Sequence, residues 1–178
     1  FCDWVKNGAK ILSSSAMRYA KAFKPYHRNI HEIGELRFGA VPMAKKWETY
    51  GIHAAETIYP IVGPGFVSVR NTGTYERNVV HLKHECGADI IIPTTKDMFG
   101  AFGNMMLVGT KDNLILSSKD TFTTFKSQLE AYVDFLHTGV RPFPFEETIE
   151  LMKIIIAGIK SREQGGVEIF LKDVAPNV

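Results

Sequence analysis

The residues best suited to moving a proton lie in one stretch, WETYGIHAAETIYPIVG, positions 47–63. His53 stands there beside a carboxylate, Glu48, and two hydroxyls, Thr49 and Tyr50. Imidazole titrates near neutrality, so it can take or return a proton without a large pKa shift. Just upstream, Lys45, Lys46 and Trp47 put two cations and an indole next to it, a combination that suits a polyhydroxylated or anionic small molecule. Arg18 and Tyr19 form a second candidate pair, placed just past a predicted strand end, where α/β sheets bind ligands. Each has a plainer alternative. His53 is otherwise a buried histidine bonded to a neighbour. Arg18 and Tyr19 are otherwise a surface ion pair and a packed ring, and the lysines a solvated loop.

Other chemistries find less support. Ser13, Ser14 and Ser15 precede a helical pattern and read as a turn and N-cap, since nothing around them resembles a nucleophile elbow. HLKHEC, positions 81–86, has metal-binding residue types at the wrong spacing. In a strand, His84 and Cys86 point to one face and His81 to the other, so no metal site is expected. The glycine clusters at 63–65 and 100–103 do not match a dinucleotide fingerprint between strand and helix. The 178 residues carry a net charge of +2, with cations scattered rather than striped, so neither nucleic acid nor a membrane surface is an expected partner. Two cysteines make no disulfide framework and favour a reducing cytoplasm. No apolar run approaches the ~20 residues of a membrane span. The opening Phe1, rather than Met, reads as a cut from something longer.

Stretch 47–63 must be a helix for its residues to act together. Ile52, Ala55, Ile58, Tyr59, Ile61 and Val62 recur at helical spacing, Pro60 tightens the last turn and Gly63 stops it. His53 is then expected in the first turn, where the positive end of the helix dipole favours the neutral ring. Before it come a helix end at 1–8, an extended segment at 9–13, a serine-capped helix at 16–26 and a strand at 33–42. After it, strands are expected at 66–71, 77–84, 88–93, 105–109 and 114–116, joined by short turns as an antiparallel meander. Two amphipathic helices follow. That at 121–137 carries Phe122, Phe125, Leu129, Tyr132, Val133 and Leu136 on one face; that at 146–163 carries Ile149, Met152, Ile155, Ile156 and Ile159. Both stripes are expected to face the core. A strand at 167–171 ends the pattern.

Three stretches resemble the second half of the glucose–fructose oxidoreductase / inositol dehydrogenase family (Gfo/Idh/MocA). Gly51-Ile52-His53-Ala54-Ala55-Glu56 is similar to that family's G-x-H-x-x-D/E helix entrance. Arg18-Tyr19 after a strand is the second likeness. The run from Phe125 to Gly166 is the longest. The resemblance implies an α+β fold: an open, mostly antiparallel mixed sheet with helices packed on one face, of the dihydrodipicolinate reductase/GAPDH-like type. It implies that 1–19 is the remnant of an N-terminal Rossmann domain and 20–178 a substrate and dimerisation domain. The glycine fingerprint and a catalytic Lys would lie upstream, so this fragment holds no cofactor, while its parent uses NAD or NADP. His53 takes the catalytic role. Arg18, Tyr19, Lys45, Lys46, Trp47, Glu48 and Thr49 are the expected substrate contacts. One position departs: the family often has Asp four residues before the His, where this chain has Thr49, with Glu48 one residue earlier. The implied parent is an oxidoreductase acting on a sugar, polyol or related hydroxy compound. The alternative is a non-catalytic interaction module on the same fold. Either way a homodimer through the exposed sheet face is expected.

Overall fold

A computed structural model describes residues 2–175. Phe1, in the predicted helix end, and the last residues of the 20–178 segment lie outside them. An eight-stranded mixed sheet carries the chain, in the order β7-β6-β1-β5-β4-β3-β8, with β2 joining β5 off this path. The strands are β1 (Leu36–Ala40), β2 (Met43–Ala44), β3 (Phe66–Asn71), β4 (Arg77–His84), β5 (Asp89–Thr95), β6 (Asn104–Gly109), β7 (Asn113–Ser117) and β8 (Ile169–Phe170). Pairing is antiparallel except where β1 and β2 run parallel to β5. The fold is therefore α+β, as the resemblance implies.

The expected meander holds for β3-β4-β5 and for the β6-β7 hairpin, but it is broken between them. β1 inserts there, parallel to β5 and antiparallel to β6. Turn signals specify which neighbours in sequence can pair. They do not forbid an earlier strand from entering.

Two helices cover one face of the sheet, α2 (Trp47–Val62) and α4 (Phe145–Glu163). Val69, Val80, Leu82, Ile90, Ile92 and Leu107 project inward and are wholly buried together with Ala54, Ile58 and Ile154. Period-two alternation along β4 places Val79, His81 and Lys83 on the opposite face. Trp47 keys the two helices together. It is completely buried, and its indole N–H donates to the Ile155 carbonyl at 2.9 Å. Side chains are absent where the ring lies: a Cβ on Gly51 or Gly158 would come within 2.5 Å of it. Burying an aromatic of this size stabilises the fold by about 2–3 kcal/mol.

The N-terminal region departs from expectation. α1 (Cys2–Lys6) ends at Asn7-Gly8 as predicted, but 9–13 pairs with no strand. Side chains of the C-terminal half satisfy this segment instead: Arg141 donates to the Ile11 carbonyl at 2.7 Å and Gln128 to that of Ser14 at 2.6 Å. The predicted helix at 16–26 is two 3-10 turns, Ala16–Tyr19 and Lys24–Tyr26, because Pro25 cannot donate within a continuing helix.

The stripe on α3 (Thr121–Thr138) is also a correction. Its ends match, with Asp120 capping the Thr123 N–H and Gly139 closing in the left-handed region. Yet Phe122, Phe125, Leu129, Val133 and Leu136 are exposed, and only Thr124 and Phe135 are buried. An amphipathic pattern requires an apolar partner for the stripe, and nothing among the described residues supplies it. On α4 the buried set is Leu151, Ile154, Ile155, Ala157, Gly158 and Ser161, so the face is rotated from the predicted one and Met152 points outward. No helix is long and apolar enough to cross a membrane among the described residues.

Candidate functional site

His53 lies in the second turn of α2, counted from Trp47, not in the first. The helix dipole falls off over that distance, and burial is what lowers the ring's pKa below the ordinary histidine value. The imidazole is thus neutral at physiological pH. It is half-buried, edge-on to Tyr50 at 5.1 Å and to Phe102 at 6.3 Å between ring centroids. Its Nδ1 meets the Ser15 hydroxyl at 2.7 Å. Its Nε2 makes no hydrogen bond among the described residues and is not among the sealed polar atoms, so it stays available to a ligand.

Ser15 is held from its own side. It caps the 3-10 turn Ala16–Tyr19, its Oγ accepting the Met17 N–H at 3.1 Å, and it is nearly fully buried. The cap was legible in the sequence. Its contact with His53 was not, because 38 residues separate the two.

An open groove of about 710 Å³ runs beside this site. Lys45, Lys46, Thr49, Arg77, Lys96 and Phe99 are among its walls, and His53 is not. Lys45 connects groove and imidazole. Its ammonium donates to the Tyr50 hydroxyl at 2.8 Å, and Tyr50 touches His53 edge-on. The Lys45 backbone sits at φ 69°, a left-handed conformation unusual for a side chain of this kind, and its N–H donates to the Thr95 carbonyl at 2.9 Å. Lys46 approaches Glu76 at 3.5 Å and covers the Tyr75 ring. Thr49 is exposed at the groove wall.

Four other predicted contacts lie elsewhere. Trp47 is core, sealed between α2 and α4 as described above, and has no surface to offer a ligand. Glu48 turns toward α4 and pairs with Arg162. Arg18 is 7% exposed and spent on internal charge: its Nε donates to Glu56 and its Nη1 to Glu147, both at 2.6 Å, while the guanidinium lies 3.8 Å above the Phe143 ring. Tyr19 is half-buried, and burial pushes its pKa up. With Arg18 it borders a separate hollow of about 430 Å³ between the 3-10 turns and α3. Arg18 and Tyr19 are therefore brought neither to the groove nor to the imidazole. Tyr50, Phe102 and Ser15 meet the imidazole, and of these the sequence pointed only to Tyr50.

No group of three or more His, Cys, Asp or Glu suited to a metal occurs among the described residues. His81 pairs with Asp89 at 2.6 Å on the outer face, and His84 meets Cys86 and the Pro64 carbonyl on the inner one. The two places where a strand leads into an α-helix, 45–46 before α2 and 118–120 before α3, contain no glycine.

No protein-family model matches the sequence, and no curated protein matches it. Solved structures do match in fold. A myo-inositol dehydrogenase from Corynebacterium glutamicum superposes with a TM-score of 0.74 at 16% identity, over 97% of this chain and 68% of that one. A myo-inositol dehydrogenase from Lactobacillus casei, solved in complex with NAD(H) and myo-inositol, gives 0.71 at 11% identity, over 96% and 65%. An oxidoreductase from Agrobacterium radiobacter, in complex with NAD+, L-tartaric acid and magnesium, gives 0.67 at 14% identity, over 88% and 64%. The chain thus spans about two thirds of the length of these proteins and shares the fold of that part.

Proposed function

We propose that this chain is the substrate-binding part of a nicotinamide-dependent oxidoreductase of the Gfo/Idh/MocA type, acting on a polyol, sugar or related hydroxy compound, with His53 as its acid–base residue. One observation carries the reading. A neutral, half-buried imidazole is fixed through Nδ1 and free at Nε2, on a fold shared with inositol dehydrogenases. When an alcohol is oxidised its oxygen must lose a proton, and a positioned imidazole is the group that accepts one best near neutrality. The nicotinamide, which would take the hydride, would be bound outside this chain. Here His53 Nε2 holds the proton of the substrate hydroxyl. Tyr50 and Lys45 stand beside it to bind neighbouring hydroxyls, and Thr49 offers another from the groove wall.

The exposed stripe of α3 supports a further part of this reading, the docking of a cofactor domain. Segment 9–15 runs along α3 and the following connector, bonded to Gln128 and Arg141. A domain joined through residues 1–19 would then approach the same helix.

The test is a titration of the isotope-labelled chain with myo-inositol and other polyols, followed by NMR. Substrate affinities of enzymes commonly fall between about 1 μM and 1 mM. Shifts that saturate in the low-millimolar range at His53, Tyr50, Lys45 and Thr49 are expected. No saturable shift at His53 with any polyol would refute the assignment. Calorimetry with NAD or NADP is expected to show no micromolar binding by this chain alone.

A second reading, a non-catalytic dimerisation module, is favoured by Thr49 at the position where the family often has Asp and by the outer sheet face. Val79, Met106 and Ile115 are exposed there at 47%, 38% and 78%. Both readings include a homodimer across this face. Sedimentation equilibrium tests it: a chain monomeric at ~100 μM, well above the Kd of a stable interface, has no such dimer.

A further inference from the structure

This inference rests on the proposed acid–base role of His53. Two contacts join the turn Ala16–Tyr19 and its cap to α2, and they are spaced alike. Ser15 meets His53, and Arg18 meets Glu56, each pair 38 residues apart in sequence. Moving from the first contact to the second advances three residues on both elements, about one turn of each. The second contact is the stronger anchor. Glu56 is 2% exposed, and Arg18 reaches past it to Glu147 in the first turn of α4. The turn therefore cannot slide along α2 without separating a buried ion pair. Ser15 itself is fixed by its bond to the Met17 N–H.

We propose that Ser15 is the positioning residue of His53: its hydroxyl holds Nδ1, leaves Nε2 to exchange the proton, and is kept in register by the Arg18–Glu56 pair. A hydroxyl can both donate and accept. It donates to Nδ1 when that nitrogen is bare and accepts from it when it carries a proton. The ring need not turn as it takes up and returns a proton at Nε2. An aspartate one turn before the histidine would accept only. At that place this chain has Thr49, which points to the groove, and the orienting contact comes instead from a different element.

The burial of His53 agrees with this. With no carboxylate on Nδ1, burial is left as the cause that lowers its pKa. The groups facing the ring are Ser15, Tyr50 and Phe102, with Lys45 behind Tyr50 and the Arg18–Glu56 pair one turn on.

Titration of the His53 ring nitrogens by NMR in three variants of this chain tests the proposal. Ser15→Asp keeps an effective N-cap but places a carboxylate on Nδ1, and is expected to raise the His53 pKa by about one unit or more. Ser15→Thr keeps cap and hydroxyl, and is expected to leave the titration within ~0.3 unit of the parent. Ser15→Ala removes both, and is expected to shift the Nδ1 resonance and change the balance of the two neutral tautomers. Should the Asp variant not fold, the Thr and Ala pair decides. A cap with no positioning role predicts that Ser15→Ala, once folded, keeps the Nδ1 resonance and tautomer balance of the parent and of Ser15→Thr, and that result overturns the proposal. Loss of polyol binding with these shifts intact would instead count against the functional reading alone.

Discussion

Replacing Arg18 by Met separates a structural from a ligand-binding arginine. Its guanidinium lies between Glu56, 2% exposed, and Glu147, 12% exposed, and stacks on Phe143. Removing one partner of a buried pair costs about 3–5 kcal/mol, because the other charge is left uncompensated. Methionine fills part of the volume, so a loss of ~3–4 kcal/mol near pH 7 is expected. With a urea m-value of about 2 kcal/mol/M, the midpoint falls by ~1.5–2 M. The loss must also depend on pH, in a definite sense. Burial raises the Glu56 pKa, and Arg18 opposes that rise. Without Arg18 the folded carboxyl holds its proton to higher pH than the unfolded one. Below the ordinary carboxylate range Glu56 is protonated in both states and contributes no penalty; as pH climbs, the unfolded chain releases its proton first and stability falls. The variant's deficit should therefore be smaller at about pH 4.5 than at pH 7.5, by ~1 kcal/mol or more. Arg18→Met/Glu56→Leu should be less destabilised than Arg18→Met, since no buried charge is stranded. Urea unfolding at both pH values measures all of this. A deficit under about 1 kcal/mol, or one equal at the two pH values, would refute the clamp. A ligand-binding arginine would instead leave stability intact and abolish polyol binding.

Three further outcomes are expected. Trp47→Ala should cost about 3–5 kcal/mol in urea unfolding, the range for emptying a core aromatic site, whereas a groove residue would cost far less. Leu129→Lys should change stability by no more than about 0.5 kcal/mol, since the side chain is 49% exposed; a core stripe would have lost several times that. His27 and His53 both lie below the ordinary histidine pKa, chiefly through burial. The unfolded chain then binds protons more readily, so stability is full above about pH 6.5 and falls as pH drops through and below it. Gln at both positions should flatten that acid limb in unfolding curves recorded from pH 5 to 8.

What the sequence revealed divides by the range of the interaction behind it. α2, α3 and α4 begin and end within a residue or so of expectation, because caps, glycine stops and helical periodicity are local. The inward faces of β4 and β5 follow from alternation alone, whereas β3 breaks it at Ser68-Val69. Apart from the helix expected at 16–26, which Pro25 breaks locally, the failures are long-range. β1 enters between β5 and β6, which no turn residue encodes. Segment 9–13 has strand-like residues and no strand to pair with. The apolar stripe of α3 states that something covers it, without stating that the cover lies in the same 178 residues.

The site shows the same division and explains why composition misled at Arg18 and Trp47. Both residue types bind ligands well and also build cores well, and sequence proximity to His53 cannot tell which use is made of them. The geometry can. Trp47 begins α2, and its ring lies forward along the helix over Gly51 and across to Gly158, where only glycines leave room. Arg18 sits three residues after Ser15, so whatever holds Ser15 on His53 brings Arg18 onto Glu56. The acid in the G-x-H-x-x-D/E pattern, Glu56, is then read physically. Three residues after the histidine it points to the same side of α2, too buried to stand without a cation, and Arg18 is the cation that reaches it. The pattern's histidine and its acid are thus two points of one seam between a 3-10 turn and a helix, His53 on Ser15 at one end and Glu56 on Arg18 at the other.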